Sequence, residues 1–489
     1  MAAALFPRRI VLPAAVGVTG GSLLVVLAAQ ASPILGAAAL VGSIGVGAVL
    51  AFPYWGFLLT AALVPLERVG RFTNDASLTT VSLIRVAGTI TLVAFLLHAL
   101  LQRRKILLTT PGILYTIYFA VSVFSLFYTS DVEYGVRAAS AILGNLVFFI
   151  LVVNMVRTPA HARAAVLCWL IVTSGIGLFT IYQWHDPAAV ITEDRFNSTG
   201  ERTSDDRFST VLSDASEYQA LDDTPRALGT TSHPAVYGIN LILTLPFFAY
   251  IHRTVRRPLY RVLTAGAAAI TCYNVVLTNT RAAVLIMVLV ILVIALTRLI
   301  RVTAVAVTGV ALASVLAIPL VPGAIWDRVL DVSNYSVDRS DTLRARLSYW
   351  EEGVSMLSEN WLLGIGIGNQ TELPRRLQSR MYMPPNSTVH NEYLQSLLET
   401  GLLGYPLLIA FMVVLYRRAR RAEVSLEAAG SLDQALLFKA SRVALLAMLF
   451  YGTQVDVLHF PLKGWWLAMG IVVALSEPMA SPARLEIAA

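Results

Sequence analysis

The chain has 489 residues, of which 56% are hydrophobic and only 14% are charged. Soluble domains carry roughly 25% charged residues, so this composition excludes a soluble enzyme and indicates a protein that crosses a membrane many times. The net charge of +7 does not indicate a nucleic-acid partner, because the basic residues lie in short loops between apolar runs, where they set membrane topology. The two cysteines, Cys168 and Cys272, both lie in apolar runs, which argues against a disulfide framework or a cysteine metal site.

The first apolar segment follows Arg8-Arg9 and ends near Ala29-Gln30-Ala31. This arrangement is similar to a cleaved signal peptide, and it also fits an uncleaved first membrane helix. We favour the uncleaved helix because further apolar runs follow at once.

A membrane helix needs about 20 mostly apolar residues, and fewer when it is buried among other helices. On this criterion the chain contains about fourteen candidate spans, and the predicted fold is an all-α bundle of about 12–14 transmembrane helices. The candidates are 10–29, 33–51, 53–66, 82–101, 110–129, 137–156, 164–184, 234–251, 261–278, 282–299, 302–320, 391–415, 440–457 and 461–476.

The distribution of charge tests this assignment. With Arg8-Arg9 inside, nearly every basic cluster falls on the cytoplasmic side, including Arg103-Arg104-Lys105 and Arg417-Arg418-Arg420-Arg421.

In this topology two long segments fall outside the membrane, on the side opposite Arg8-Arg9. The predicted organisation is N-terminal membrane helices in 1–184, an outer loop in 185–233, central membrane helices in 234–320, a larger outer loop with amphipathic helices in 321–390, C-terminal membrane helices in 391–478 and a tail in 479–489.

The two outer segments differ in character. The first is rich in acidic and hydroxyl residues, and we interpret Asp205-Asp206 and Asp222-Asp223 as solvated, with metal binding as the alternative. The second contains an amphipathic stretch whose apolar residues recur at helical spacing, namely Leu343, Leu347, Trp350, Val354 and Leu357. We expect this helix to lie on the membrane surface or to pack over the mouth of the bundle.

Basic residues that fall outside run against the topology rule and therefore need another reason. They are Arg226 before His233-Pro234, Arg281 in the turn Asn279-Thr280-Arg281, and Arg344 and Arg346 on the amphipathic stretch. A guanidinium fork matches phosphate oxygens, so these residues predict binding of an anionic group at the outer leaflet. The alternatives are an interface anchor for Arg281 and a solvated helix face for Arg344 and Arg346.

His390 ends a polar segment and directly precedes an apolar run that extends to Leu415. An ionisable group at the mouth of a membrane helix is costly, so it indicates a site, with a histidine that merely starts the helix as the alternative. The run Gly364-Ile-Gly366-Ile-Gly368 could cradle a phosphate, but we interpret it as a turn after Trp361.

At these residues the sequence resembles the O-antigen ligase and O-antigen polymerase superfamily of bacterial membrane glycosyltransferases. The matching pieces follow one another over roughly 226–415. They are Arg226-Ala-Leu-Gly229 with His233-Pro234, Thr280-Arg281, Arg346-Leu-Ser-Tyr-Trp350, Gly364-Ile-Gly366, His390-Asn391-Glu392-Tyr393 and Glu399-Thr-Gly401-Leu402. Thr280 stands where many relatives carry serine, which is a mild chemical departure.

The resemblance implies a GT-C-like inner-membrane enzyme that faces the periplasm and works without a metal or other cofactor. Its donor would be a glycan on undecaprenyl diphosphate, transferred to a sugar hydroxyl with inversion. His390 matches the general base or acceptor-orienting residue, and Arg281 and Arg346 match the residues that offset the diphosphate charge. The further residues expected to bind diphosphate or glycan are Arg226, Arg344, Asn391 and Glu392, of which Glu392 would orient the histidine or cap the helix.

The motifs leave the acceptor open. If the acceptor is a growing lipid-linked chain, the protein is a polymerase, which we favour. If the acceptor is lipid A core, it is a ligase, and if it is a protein serine, it is an O-oligosaccharyltransferase. The expected partners are the lipid-linked donor, a glycan or lipid A core acceptor, the lipid bilayer and a chain-length regulator, without nucleic acid. The alternative from another class is a transporter of the lipid-linked glycan, although transporters usually place ionisable residues near mid-membrane on broken helices.

Overall fold

The computed structural model describes residues 33–66, 82–185, 226–231, 234–300, 343–369, 372–377, 389–454 and 462–477. The predicted spans 10–29 and 302–320, both aspartate pairs, His233 and the tail all lie outside these ranges.

The described chain is helical throughout its regular elements. The helices are α1 (Pro33–Ala51), α2 (Pro53–Leu63), α3 (Leu83–Leu101), α4 (Thr110–Phe124), α5 (Val132–Met155), α6 (Pro159–His185), α7 (Pro234–Ile242), α8 (Leu245–Thr254), α9 (Pro258–Leu277), α10 (Arg281–Leu296), α11 (Leu343–Glu359), α12 (Glu372–Leu377), α13 (Glu392–Ala428), α14 (Leu432–Tyr451) and α15 (Lys463–Ser476). Short 3₁₀ turns at Val64–Leu66 and Ser125–Phe127 extend α2 and α4. Proline occupies the first position of several of these helices, where its missing N–H costs no hydrogen bond.

The predicted spans coincide with these helices wherever the chain is described. Eight elements are long and apolar enough to cross a membrane, and four shorter apolar helices accompany them in the described residues. The all-α, polytopic bundle predicted from the sequence is therefore confirmed. Residues 243–244 interrupt the predicted span 234–251, where Thr244 N bonds to Leu241 O and Pro246 has no N–H to continue the ladder.

Helix α13 differs most from the prediction. It was expected to end near Leu415, yet it continues to Ala428, so Arg417–Arg421 lie on a helix and not in a loop. Ion pairs support this extension: Arg418 pairs with Glu477, and the 1%-exposed Glu423 pairs with Arg442 at 2.8 Å. The helix ends where Gly430 adopts a positive φ of 72°.

The core of the bundle is aromatic and is centred on α15. This helix has 14 residues and is therefore about 21 Å long, too short to cross a bilayer on its own. It is buried along nearly its whole length, and Trp466 stacks on Tyr115 of α4 and Phe411 of α13 with ring centroids 4.6 and 5.7 Å apart. The α7–α8 pair is similarly enclosed, whereas α3 and α9 are largely exposed on the outside of the bundle.

Candidate active site

His390 is held rigidly at the start of α13. Trp350 Nε1 of α11 donates to Val389 O over 2.9 Å, which fixes the backbone before the histidine. Asn391 caps the helix, since its Oδ1 accepts from the N–H groups of Tyr393 and Leu394 at 3.1 and 3.2 Å. Between these anchors His390 adopts φ of +50°, and its ring centroid lies 6.2 Å from that of Tyr349. A non-glycine residue in this region is strained, a condition that occurs preferentially at functional sites.

Glu392 points into the bundle. Its side chain is only 3% exposed, and Oε1 accepts a hydrogen bond from Ser396 Oγ at 3.0 Å. Its backbone N–H donates to Gly452 O, at the end of α14, over 2.8 Å. The N-cap is thus Asn391, while Glu392 lies in the first turn, where a carboxylate favours the helix dipole as expected; its role in orienting the histidine stays a prediction. Asn391 caps the helix because its shorter side chain reaches back to the first free N–H groups.

Arg346 is brought to the same place by α11. Its Nη1 donates to Gln454 Oε1 over 3.0 Å, two residues beyond the glycine that accepts from Glu392. Tyr349, one turn further along α11, lies beside His390. Arg346 and Glu392, two residues after His390, therefore both bond to residues at the end of α14, and Tyr349 of α11 lies beside the histidine ring.

The buried face of α11 differs from the predicted apolar face. Tyr349 and Met356 are buried against Val389 and Leu398, whereas Leu347 and Val354 are 45% and 57% exposed. The packing face follows 349, 353 and 356, with Trp350 and Leu357 of the predicted stripe at its edge. Gly353 permits a close approach to α13, since a Cβ there would lie 3.2 Å from Leu398 Cδ1. This rotation is what turns Arg346 inward.

The segments that carry Arg226 and Arg281 lie next to each other at a second edge of the same end of the bundle. Ala227 N donates to Leu277 O over 2.9 Å, so the segment with Arg226 lies on the end of α9, just before the turn that leads to Arg281. Asn279 is buried in that turn with φ of +47°, and Arg281 is the exposed first residue of α10. Gly229 has φ of +55° and lies against the ring of Tyr237, where a larger side chain would not fit.

Tyr451 links the two edges. Its hydroxyl donates to Ala235 O at the start of α7 over 2.6 Å, and α7 follows directly on the segment with Arg226. Arg346 lies within electrostatic reach of Tyr451. The starts of α7, α10 and α13 and the ends of α9 and α14 therefore share one end of the bundle, which we call the His390 end. The side chain of Arg344 lies outside the described residues.

Helix α13 is discontinuous nine residues after Glu392. Gly401 has φ 57° and ψ −161°, a conformation available essentially to glycine alone. The helical hydrogen bonds lost at the break are replaced by hydrogen bonds to residues 361–366. Ile365 N and Gly366 N donate to Leu398 O and Glu399 O at 2.7 and 3.2 Å, and Leu402 N donates to Trp361 O at 3.0 Å.

The N–H groups of the glycine run therefore bond to groups of the protein itself. Gly368 N donates to Glu399 Oε1 at 3.2 Å, and Glu399, 1% exposed, also accepts from Gln395 Nε2 at 2.7 Å. Since these N–H groups are already bonded, the arrangement favours the turn interpretation over a phosphate cradle. Gln395 was not singled out in the sequence, and Glu399 was named there only as part of the family pattern, although their recurrence with Glu392 and Ser396 at helical spacing was a usable signal.

No group of three or more His, Cys, Asp or Glu side chains capable of holding a metal ion occurs within the described ranges. The polar groups described at the His390 end include the imidazole of His390, guanidinium groups and buried carboxylates.

The fold and the composition of its helices are those of a multi-pass membrane protein. Residues 266–427 match a family model described as O-antigen ligase, a family of glycosyltransferase-like ligases and polymerases. This match covers about a third of the chain and, over that part, confirms the resemblance to the ligase and polymerase superfamily. The matched segment includes Arg281, Arg346 and His390, whereas Arg226 precedes it. The search of curated proteins gave no match.

Proposed function

We propose that the protein transfers a glycan from undecaprenyl diphosphate to a sugar hydroxyl, at an active site that faces the periplasm from the inner membrane. The observation that carries this proposal is that Arg346 and His390 lie at the same end of the bundle, where Arg346 bonds to Gln454 and Glu392, two residues after His390, bonds to Gly452. Arg346 and His390 both lie within residues 266–427, which match an O-antigen ligase model. Such a pair suits a reaction in which a hydroxyl loses a proton while a diphosphate departs.

In the proposed step the acceptor hydroxyl oxygen attacks the anomeric carbon of the donor sugar. The bond from that carbon to the diphosphate oxygen breaks, and the configuration inverts. His390 accepts the hydroxyl proton, which an imidazole of ordinary pKa near 6.5 can do at neutral pH, for a rate contribution of about 10²–10⁴. Arg346 and Arg281 stabilise the charge that develops on the leaving diphosphate. Arg226, Arg344, Asn391 and Glu392 remain candidates for binding the diphosphate or the glycan.

The main test of the catalytic assignment is His390→Ala. We expect the variant to insert and fold like the wild type and to form no transferred product. Asn391 and Trp350 hold the flanking backbone without the imidazole, so folding should survive the change. Normal product from a His390→Ala protein would reject the assignment.

We favour a polymerase over a ligase or a protein O-oligosaccharyltransferase. The distinguishing experiment compares glycans in a deletion strain with those of its parent. Single lipid-linked repeat units without long chains support a polymerase. Long lipid-linked chains beside bare lipid A core indicate a ligase, and unglycosylated proteins beside normal polysaccharide indicate protein transfer.

A transporter of the lipid-linked glycan is the second candidate, because α13 is discontinuous and has buried carboxylates, as transport helices do. The break is bonded on both sides to residues 361–366, which argues against a mobile gate. Repeat units retained on the cytoplasmic face of the deletion strain would support transport and overturn the transferase proposal.

A further inference from the structure

A second polar cluster lies in the interior of the bundle, apart from the residues assigned above. Lys463, the first residue of α15, donates from Nζ to Asn145 Oδ1 over 2.6 Å. Asn145 lies in the middle of α5 and Tyr115 on α4 beside it, and both are fully buried. The Tyr115 hydroxyl and the Asn145 side chain lie within interaction distance of each other, but neither the hydroxyl nor the Asn145 amide nitrogen forms a hydrogen bond of good geometry among the described residues. A lysine and two imperfectly bonded polar groups on three helices are costly inside a membrane bundle, so they indicate function.

The cluster is connected to the start of α13. The Tyr115 ring stacks on that of Tyr118 with centroids 5.7 Å apart, and Tyr118 lies beside Ser396. Ser396 Oγ in turn donates to Glu392 Oε1. The charge of Glu392 reaches both tyrosines. A continuous series of contacts therefore joins Lys463 to the helical turn that follows His390.

Packing alone would favour phenylalanine at position 115. The ring lies 4.6 Å from Trp466 and 5.1 Å from Phe411, measured between centroids, and phenylalanine would keep both contacts. The hydroxyl adds a buried polar group that makes no well-formed hydrogen bond in the described chain, with Asn145 as its neighbour, and this arrangement does not stabilise the fold. Its presence thus requires a reason other than packing.

We propose that Tyr115, Asn145 and Lys463 are positioning residues that hold Glu392 and, through it, the turn that carries His390. This inference rests on the proposed function, in which His390 must meet the acceptor hydroxyl. Glu392 is fixed on one side by its backbone bond to Gly452 and on the other by Ser396, which is backed by the two tyrosines. A displacement of about 1 Å at a catalytic group can reduce turnover about 100-fold, so a distant hydroxyl can control the rate.

The test is Tyr115→Phe in purified protein reconstituted in liposomes, with a lipid-diphosphate-linked glycan as donor. We expect kcat to fall about tenfold or more, the donor KM to stay unchanged and the unfolding temperature to stay equal or rise. Tyr250→Phe is the matched control, because Tyr250 is also a buried tyrosine but lies on α8, away from Glu392. It should leave kcat and KM unchanged.

Lys463 provides the second pair of variants. Lys463→Met should lower kcat as Tyr115→Phe does, whereas Lys463→Arg, which keeps the charge and a donor, should restore most of the turnover. A Tyr115→Phe protein with kcat within twofold of the wild type would overturn the proposal, and so would a parallel fall in kcat and unfolding temperature. Failure of the wild-type protein to transfer glycan would instead reject the proposed function, so the two failures are distinguishable.

Discussion

The discontinuity at Gly401 allows a sharp test of how the site is supported. A Cβ added at Gly401 would lie 2.5 Å from the carbonyl carbon of Leu362 and 2.6 Å from Gly364 N. These atoms belong to backbone, so the clash can be relieved only by moving residues 361–366 away from α13. Gly401→Ala should therefore destabilise the protein and displace the turn that carries His390.

The expected cost follows from two contributions. Forcing alanine into this backbone conformation costs about 1–3 kcal/mol. Moving the chain at Leu362 breaks the bonds from Leu402 N to Trp361 O and from Leu403 N to Leu362 O, at about 1 kcal/mol each. The total is about 3–5 kcal/mol.

Gly430→Ala is the matched control, because Gly430 also has a positive φ, of 72°, yet a Cβ there meets no described heavy atom within 4 Å. It should cost only about 1 kcal/mol. Thermal unfolding in detergent should place Gly401→Ala several degrees below Gly430→Ala, and transfer activity should fall in the former alone. Equal unfolding temperatures with wild-type activity in both variants would refute the role assigned to the break.

Three further predictions concern charged groups. Arg281→Lys should lose about tenfold or more of transfer activity, because lysine cannot offer two donors to a phosphate as arginine does. Arg298→Lys, just beyond the other end of α10, should keep its activity. Wild-type turnover in Arg281→Lys would favour the role of interface anchor. Glu423→Ala should cost about 3–5 kcal/mol of stability, because it removes the 1%-exposed carboxylate that Arg442 and Lys439 share. Glu427→Ala is the control, because its carboxylate is 39% exposed. Equal unfolding temperatures of the two variants would contradict the prediction. The hydrogen bonds and charge of Arg376 lower the pKa of Glu359, so their pairing stabilises the α11–α12 contact above the ordinary glutamate pKa and loses this effect as pH falls through the lowered value. Hydrogen exchange in 343–377 should therefore rise in acid for the wild type and change less in Arg376→Gln.

The membrane spans could be predicted because hydrophobic length is a local property. Each candidate span within the described ranges corresponds to a helix, and their ends shifted where charged residues support further turns, as at Arg418 and Glu423. The face of α11 could not be predicted from periodicity, because its packing depends on the close approach at Gly353 and not on the most apolar stripe. Likewise, Lys463 begins an apolar run in the sequence, and only the packing of α15 against α5 places it beside Asn145.

The site residues could be selected from the sequence by their charge on the outer side and by the family pattern, but the contacts between them could not. His390 and Arg346 lie 44 positions apart in the chain, and they are placed at one end of the bundle by the bonds from Arg346 to Gln454 and from Glu392 to Gly452, two partner residues that carry no distinctive signal. Arg281 and Arg226 were grouped correctly because the turn before α10 and the segment before α7 are joined through Leu277. Their roles in binding and catalysis stay predictions.

The break in α13 explains physically why Glu399 and Gly401 occur together in the family pattern. Glu392, Gln395, Ser396 and Glu399 would face lipid or distort the bundle if the helix continued straight from an apolar span. The break separates the short polar part, 392–400, from the apolar part that follows. The polar part is then enclosed by α4 and the glycine run, whose N–H groups bond to both the backbone carbonyl and the carboxylate of Glu399.

Glycine at 364, 366 and 368 is needed because each of these residues has a positive φ and lies against neighbouring backbone. We infer that this part of the family pattern supports the site, holding the helix whose first turn presents His390, and that substitutions here should act first on stability and only through it on turnover.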